Sequence, residues 1–512
     1  MKTLIRAAAL ATLAVAALVA SATPAAAANF TVNSTGDQSD ATPGDSACAT
    51  AGGACTLRAA IQEANALSGP DVIGFAIGAG VQTITVGSQL PDITSPVTID
   101  GTTQSGYSGT PLIVVSGGGS ARCLQITGGG TTIRGLALVS FAGNGLEIVG
   151  GSNNVLEGNY VGLLANGTTA AGSTGSGVKI QGSSNNRIGG TTVAQRNVIS
   201  GNTGKGNAGG IEIDGGSGNL VKGNFIGVDA TGTLERANEG RGIALDGSTG
   251  NVIGGPEAGA GNLIAGNRAT GVRLLGASNN NIVQNNFMGV NRTATVFIAN
   301  DRGVQIRGSH GNQILGNLIM GHTYDGILIW QLSSDNTISG NIVAFNGQGP
   351  VGDPNEAAFN GILVIEGVGN ILYSNMVFGN TDLDIDLGLP FLGPAPNDTG
   401  DGDTAGGNYM QNYPVLTSAV ASGGKTAING TLNSAANAPF LVQFFADTAC
   451  NPLGHGGGKY VLGNAVVQTN ATGNATVSFT HNQQLPAGWV VTATATDAGR
   501  NTSEFSACRV VQ

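Results

Sequence analysis

The sequence predicts an all-β protein: a right-handed parallel β-helix solenoid followed by a small antiparallel β-sandwich. Three observations carry that expectation. A short strand phrase recurs through the middle of the chain. An asparagine phrase follows each copy. The composition is that of a turn-rich repeat. Gly supplies 86 of 512 residues, 10% of residues are charged and 5% aromatic, yet 41% are apolar. A disordered chain with so few charges would also lack Val, Ile and Leu. Here those residues are abundant and evenly spaced.

The N-terminus reads as an address rather than a fold. Lys2 and Arg6 form a positive start, Ala7 to Ala20 a short apolar run, and Ala25 to Ala28 offer small-residue cleavage sites. Residues 1–28 are therefore expected to be a secretory signal peptide, too short in its apolar part to span a bilayer. Removing it takes the formal charge from −10 to −12, because it carries Lys2 and Arg6 and no acid. No later stretch is apolar for long enough to cross a membrane. The expected location is secreted or cell-surface. An acidic protein repels nucleic acid, so no nucleic-acid partner is expected. A polyanionic glycan would need local basic groups or a bridging cation.

Residues 29–68 read as an N-terminal cap. From Thr56 the spacing of Leu57, Ala60, Ile61 and Ala64 is helical, with Thr56 as candidate N-cap. Residues 69–381 read as the solenoid. The strand phrase is Gly, aliphatic, any residue, aliphatic. It runs from Gly145-Leu-Glu-Ile148 and Gly177-Val-Lys-Ile180 to Gly361-Ile-Leu-Val364. Alternation of period 2 marks a strand. The second phrase is exemplified by Asn219-Leu-Val-Lys-Gly-Asn224 and Asn312-Gln-Ile-Leu-Gly-Asn317. A single coil cannot bury its own aliphatic row, but stacked neighbours bury it continuously. Repeated corner Asn residues tolerate tight-turn geometry and can hydrogen-bond from copy to copy as a ladder. Longer spacings contain insertions such as Gly227-Val-Asp-Ala-Thr-Gly232. Residues 382–412 form an Asp/Gly-rich linker. Residues 413–512 show longer alternating strands, such as Phe440-Leu-Val-Gln-Phe-Phe445, expected to form the sandwich.

Five cysteines remain in the mature chain. The expected bridges are Cys48–Cys55 and Cys450–Cys508, leaving Cys123 buried and free. No Cys-x-x-Cys pair occurs, which argues against a zinc or thioredoxin-type site.

The segment from Asn29-Phe-Thr-Val-Asn33 through Cys55-Thr-Leu-Arg58 resembles the CSLREC family, an N-terminal segment of exported bacterial β-helix proteins. Cys55, Leu57 and Arg58 match its signature; Thr56 stands for Ser, and Ala59 for Glu. Repeats such as Asn197-Val-Ile-Ser-Gly-Asn202 look like those of the pectin lyase-like superfamily. The C-terminal Thr492–Ser506 stretch is similar to the sandwich domain that closes such proteins. The resemblance implies fold and export. Activity does not follow, because the superfamily includes lyases, hydrolases, epimerases and non-catalytic surface proteins.

Polygalacturonase-type catalysis needs paired carboxylates on neighbouring coils. Asn380-Thr-Asp382 and Gly454-His-Gly456 echo parts of that signature, but they lie at the end of the repeats and in the sandwich. The outward strand positions are more informative. They predict one column of Glu147, Lys179, Glu212, Arg273 and Gln305, and a next one of Gln181, Asp214, Asp246, Arg307, Trp330 and Glu366. Glu212, Asp214, Asp246, Arg241 and Arg273 are thus candidate groove or catalytic residues on one exposed sheet. Tyr324 and Trp330, near His322, are candidate glycan-stacking residues. Asp382, Asp384 and Asp386 alternate along a strand, and Asp398, Asp401 and Asp403 lie in an oxygen-rich loop. These are candidate Ca²⁺ ligands. The leading expectation is an exported surface or adhesion-type protein that binds an extracellular polysaccharide or cell-surface component without catalysis. The alternative is a pectate lyase-like polysaccharide lyase or glycoside hydrolase acting on an acidic extracellular polysaccharide.

Overall fold

The computed structural model describes residues 27–119, 124–349, 359–388 and 393–512. The expected signal peptide, up to residue 26, and Cys123 lie outside the described residues.

The repeat phrases wind into a parallel β-helix. Each coil gives one short strand to each of three long parallel sheets, of twelve, eleven and ten strands among the described residues. The asparagine phrase supplies the first two sheets and the Gly-aliphatic phrase the third. In the third sheet Val178 pairs with Ile211 and Ile180 with Ile213, and the pattern repeats coil after coil. These residues are 0–1% exposed and line one continuous core. The Gly opening each phrase is sterically required. A Cβ on Gly177 would lie 2.6 Å from the Ile199 side chain and 2.8 Å from Asn202 Nδ2 across the corner.

Asparagine ladders hold all three corners. One runs Asn154, Asn186, Asn219, Asn251, Asn281, Asn312, Asn336, Asn370, with each Nδ2 donating to the next Oδ1. A second runs Asn159, Asn197, Asn224, Asn262, Asn286, Asn317, Asn341, Asn375. The third begins Asn202, Asn238, Asn267, Asn300. His322 then takes the asparagine's place, and the row resumes with Asn346, Asn380 and Asp384. His322 is fully buried and neither ring nitrogen has a partner. Burial pushes its pKa down to about 3, so the ring is neutral. His322→Asn restores a donor and an acceptor to this rung and is expected to stabilise the protein by about 1 kcal/mol, read as a higher urea midpoint. A lower midpoint would mean that ring packing outweighs the missing bonds.

Three insertions after the second sheet form small hairpins, bridged at Leu163–Ala170, Val228–Glu235 and Val290–Phe297. They stack on one another through Ala230 N–H to Gly167 O and Arg292 N–H to Gly232 O, each 2.9 Å.

Both ends are closed. Asn29–Val32 adds the first strand of the first sheet, and the helix Leu57–Ala66 lies on the first coils, capped by the Thr56 hydroxyl accepting from Ala59 N–H. At the far end, strands Val415–Ser422, Lys425–Asn433 and Asn474–His481 form one sheet of the sandwich, and Tyr460–Gln468, Pro439–Asp447, Val490–Thr496 and Arg509–Val510 the other. The sandwich docks on the last coil. Thr502 Oγ1 accepts from Leu372 N–H, Gln443 Oε1 from Ser374 N–H and Glu504 from Leu387 N–H. These bonds satisfy donors that an open solenoid end would expose. Disulfides join Cys48 to Cys55 and Cys450 to Cys508. No described helix is long and apolar enough to cross a membrane.

One boundary differs from the sequence reading. Ile385–Leu387, inside the stretch read as linker, is the last strand of the third sheet. Asp384 there occupies the Gly position of the repeat, which hid the phrase.

Candidate outer-face groove

The third sheet's outer face carries the candidate residues, and register decides which of them meet. One column is Glu147, Lys179, Glu212, Ala244, Arg273, Gln305, Leu328, Leu363, Asp386. The next aligns Gln181, Asp214, Asp246 and Leu275, and further along Arg307 with Trp330. Glu366, expected in this column, falls one residue beyond it. The residues just before each Gly form a third column on the same face, including Ser176, Arg241, Arg302, Asp325 and Asn360. The face therefore grades from acids with a lysine, through arginines, to an apolar patch of Leu328 and Leu363 beside buried acids.

In the first zone Glu212 accepts from Ser176 Oγ at 2.8 Å and pairs with Lys179 at 3.3 Å; Asp214 lies 3.8 Å from the same Lys179. Asp246 accepts from Asn207 Nδ2 at 3.2 Å. Arg241 donates to Gly206 O and to Asn207 Oδ1. The five groove residues thus share a face, but the acids are held by Lys179 and Asn207 rather than by the arginines.

The arginine zone is the unusual one. Arg273 is 7% exposed and its Nε has no partner; Arg241 also has an unpartnered, buried Nε. Among the described residues no carboxylate lies within ion-pair distance of Arg241, Arg273 or Arg307. Burial lowers the Arg241 pKa, and the like charge of Arg307 lowers it further. Arg302 differs, its Nε being 3.1 Å from Asp325 Oδ2.

Tyr324 and Trp330 do not make one platform. Tyr324 precedes the strand Ile327–Trp330, which Trp330 ends, so the two stand at opposite margins of the sheet. Tyr324 stacks on Phe359 (centroids 5.9 Å) under Arg302, while Trp330 lies against Arg307 at 5.1 Å. His322 is in the corner ladder and out of reach of either surface.

The proposed calcium set is likewise dispersed. Asp382 accepts from Phe359 N–H. Asp384 turns to Asn380 and Gly457 N–H, and Asp386 to Asn360 Nδ2. The bend before Ile385 separates side chains that strict alternation would align. Asp398 accepts from Gly402 N–H, and Asp401 from Asn412 N–H and Ser434 Oγ, while Asp403 is exposed. Among the described residues no three His, Cys, Asp or Glu side chains converge as a metal site.

Burial raises the pKa of the acids at the C-terminal end. Asp325 is pushed up to about 6, Asp384 and Asp386 to about 7, and Glu504 to about 8. Asp386 is raised further by Asp325 and Asp382, and Glu504 by Asp386. Asn360 and Glu504 were missed from sequence. Asn360 carries no signal apart from its place before a repeat Gly, and Glu504 arrives from the sandwich.

The three long parallel sheets wound coil on coil define a protein of the right-handed parallel β-helix class. Residues 233–382 match the family model of the right-handed beta helix region. Residues 118–296 match the model of NosD, described as a periplasmic copper-binding protein. No curated protein matches the chain. Among solved structures, a mutant of the periplasmic alginate epimerase AlgG is 14% identical, covering 60% of this chain and 77% of that one at a TM-score of 0.33. A pectate lyase is 14% identical, with coverage of 70% and 79% and a TM-score of 0.29. The A-module of a mannuronan C-5 epimerase from Azotobacter vinelandii is 16% identical, with coverage of 72% and 100% and a TM-score of 0.28. Likenesses at this level do not bear on activity.

Proposed function

We propose that this is an exported protein whose third-sheet outer face binds an acidic extracellular glycan without transforming it. The carrying observation is Arg273, a nine-tenths-buried cation with an unpartnered Nε and no carboxylate beside it. A buried charge is costly unless paired, so a ligand anion is the partner this site lacks. Arg241, on the coil before, and Arg307, on the coil after, extend the positive charge diagonally across the face, because the three arginines stand in three different columns. The row is a local exception on a chain of net charge −10. The two disulfides fit an oxidising, extracytoplasmic setting. Copper, named in the description of NosD, finds no converging set of three His, Cys, Asp or Glu side chains among the described residues.

The test is calorimetric titration of the full chain with polygalacturonate and alginate. Arg273→Met is expected to weaken binding about 30-fold, from roughly 2 kcal/mol for removing one member of a buried charge pair. Unchanged affinity would remove this face as the contact surface.

A second reading, a polysaccharide lyase or glycoside hydrolase, is favoured by Asp325 and Asp386. Both are acids poised near neutrality on the same face. Unsaturated or shortened oligosaccharides after incubation with the same polymers would establish it.

A further inference from the structure

The arginine row does not end in open solvent. A cavity of about 730 Å³ lies at its C-terminal end, between the third sheet's outer face and the segment 393–412. Trp330, Ile365 and Met410 line it together with the acids Glu366, Asp398 and Asp403. None of the three acids is ion-paired among the described residues. The Arg307 guanidinium, one coil before Trp330, lies against the same indole.

We infer that this cavity seats a sugar unit that carries no carboxylate, neutral or amino, of the same glycan whose acidic units lie on Arg241, Arg273 and Arg307. The inference rests on the glycan-binding reading and adds composition and direction to it. The volume is that of a small-ligand site. An indole with aliphatic neighbours accepts the C–H face of a pyranose ring, and unpaired carboxylates accept from hydroxyl or ammonium groups. The same carboxylates repel a uronate, by the charge rule that draws it to the arginines. The ligand is therefore acidic along the columns and non-acidic at the cavity.

The chain has two tryptophans, and Trp489 is in the sandwich, stacked on Tyr460. In the full-length Trp489→Phe protein Trp330 is the sole indole reporter. Three probes are titrated: a hyaluronan hexasaccharide, which alternates uronate and hexosamine; tetragalacturonate, all uronate; and cellotetraose, neutral. The alternating probe is expected to change Trp330 emission and to bind about tenfold tighter than tetragalacturonate. Ala405→Phe, at the exposed rim of the cavity, is expected to abolish both the emission change and the preference while leaving tetragalacturonate binding intact. Equal affinities with silent Trp330, or no effect of Ala405→Phe, would overturn the cavity and leave the arginine row standing if Arg273→Met still weakens tetragalacturonate. Absence of binding by both acidic probes would overturn the two together.

Discussion

Asn262→Ala is expected to cost about 3–5 kcal/mol of stability, although Asn262 touches no surface and no candidate site. Its Oδ1 accepts from the backbone N–H of Asn224 at 2.9 Å and from Asn224 Nδ2 at 3.0 Å. Its Nδ2 donates to Val221 O at 2.8 Å and Asn286 Oδ1 at 2.9 Å. The residue is fully buried, so truncation strands these donors and acceptors where water cannot reach them. The solenoid concentrates the damage, because each coil is supported only by its neighbours. Urea unfolding should show a lower midpoint in Asn262→Ala and a still lower one at pH 7 in Asn262→Asp, whose carboxylate accepts but cannot donate. Asn166→Ala is the control. Asn166 is an exposed hairpin asparagine bonded to Thr169, and its loss should stay within about 0.5 kcal/mol. A cost below about 1 kcal/mol for Asn262→Ala would mean that the ladder decorates the corners without holding them.

The second large effect is a dependence of the solenoid–sandwich junction on pH. Glu504 is held at about 8 and Asp384 at about 7, both because burial disfavours the carboxylate. Each accepts hydrogen bonds across the junction, Glu504 from Leu387 and Ala395 N–H and Asp384 from Gly457 N–H. Both folded values are raised above those of the unfolded chain, near 4. Below pH 4 the two states bind the same protons, and these groups cost nothing. As pH rises, the unfolded chain ionises first and is stabilised, so folding weakens until pH passes the folded values. A shift of three units is about 4 kcal/mol per group. Asp386, also held at about 7, and Asp325, paired with Arg302, add to the same slope. Melting temperature should therefore fall from pH 5 to pH 8 and level off above it. Glu504→Gln should flatten the fall, at the expense of one bond its amide nitrogen cannot accept. A melting temperature that rises over this range would show that the acids are ionised in the folded protein.

Much of the architecture was legible before any coordinates. The Gly-aliphatic phrase is legible because a Cβ at its first position would strike the opposite corner, as at Gly177. Asn312, Asn317, Asn336 and Asn341 could be read as ladder positions because corner amides have few other uses inside a dry solenoid. The column of Glu147, Lys179, Glu212, Arg273 and Gln305 followed from period 2 alone. These are local rules repeated once per coil, and repetition makes a weak local signal strong.

The tertiary structure decided what repetition could not. His322 and Asp384 occupy ladder and Gly positions that their residue types disguise. Asp246 and Arg241 meet on one face yet bond to Asn207, in a loop between strands whose path no pattern predicts. Tyr324 and Trp330, six positions apart, part to opposite margins because a strand is extended. Arg273 stands beside Ala244 and Gln305 with no acid in reach, which depends on the register of the neighbouring coils. Glu504 reaches Leu387 across 117 residues of chain. Sequence by itself thus determined the coil, its interior and its corners, where each residue answers to the one a coil away. The partners of the outward charges, and the junction where Asp384 and Glu504 are buried, were set by packing between segments that share no repeat.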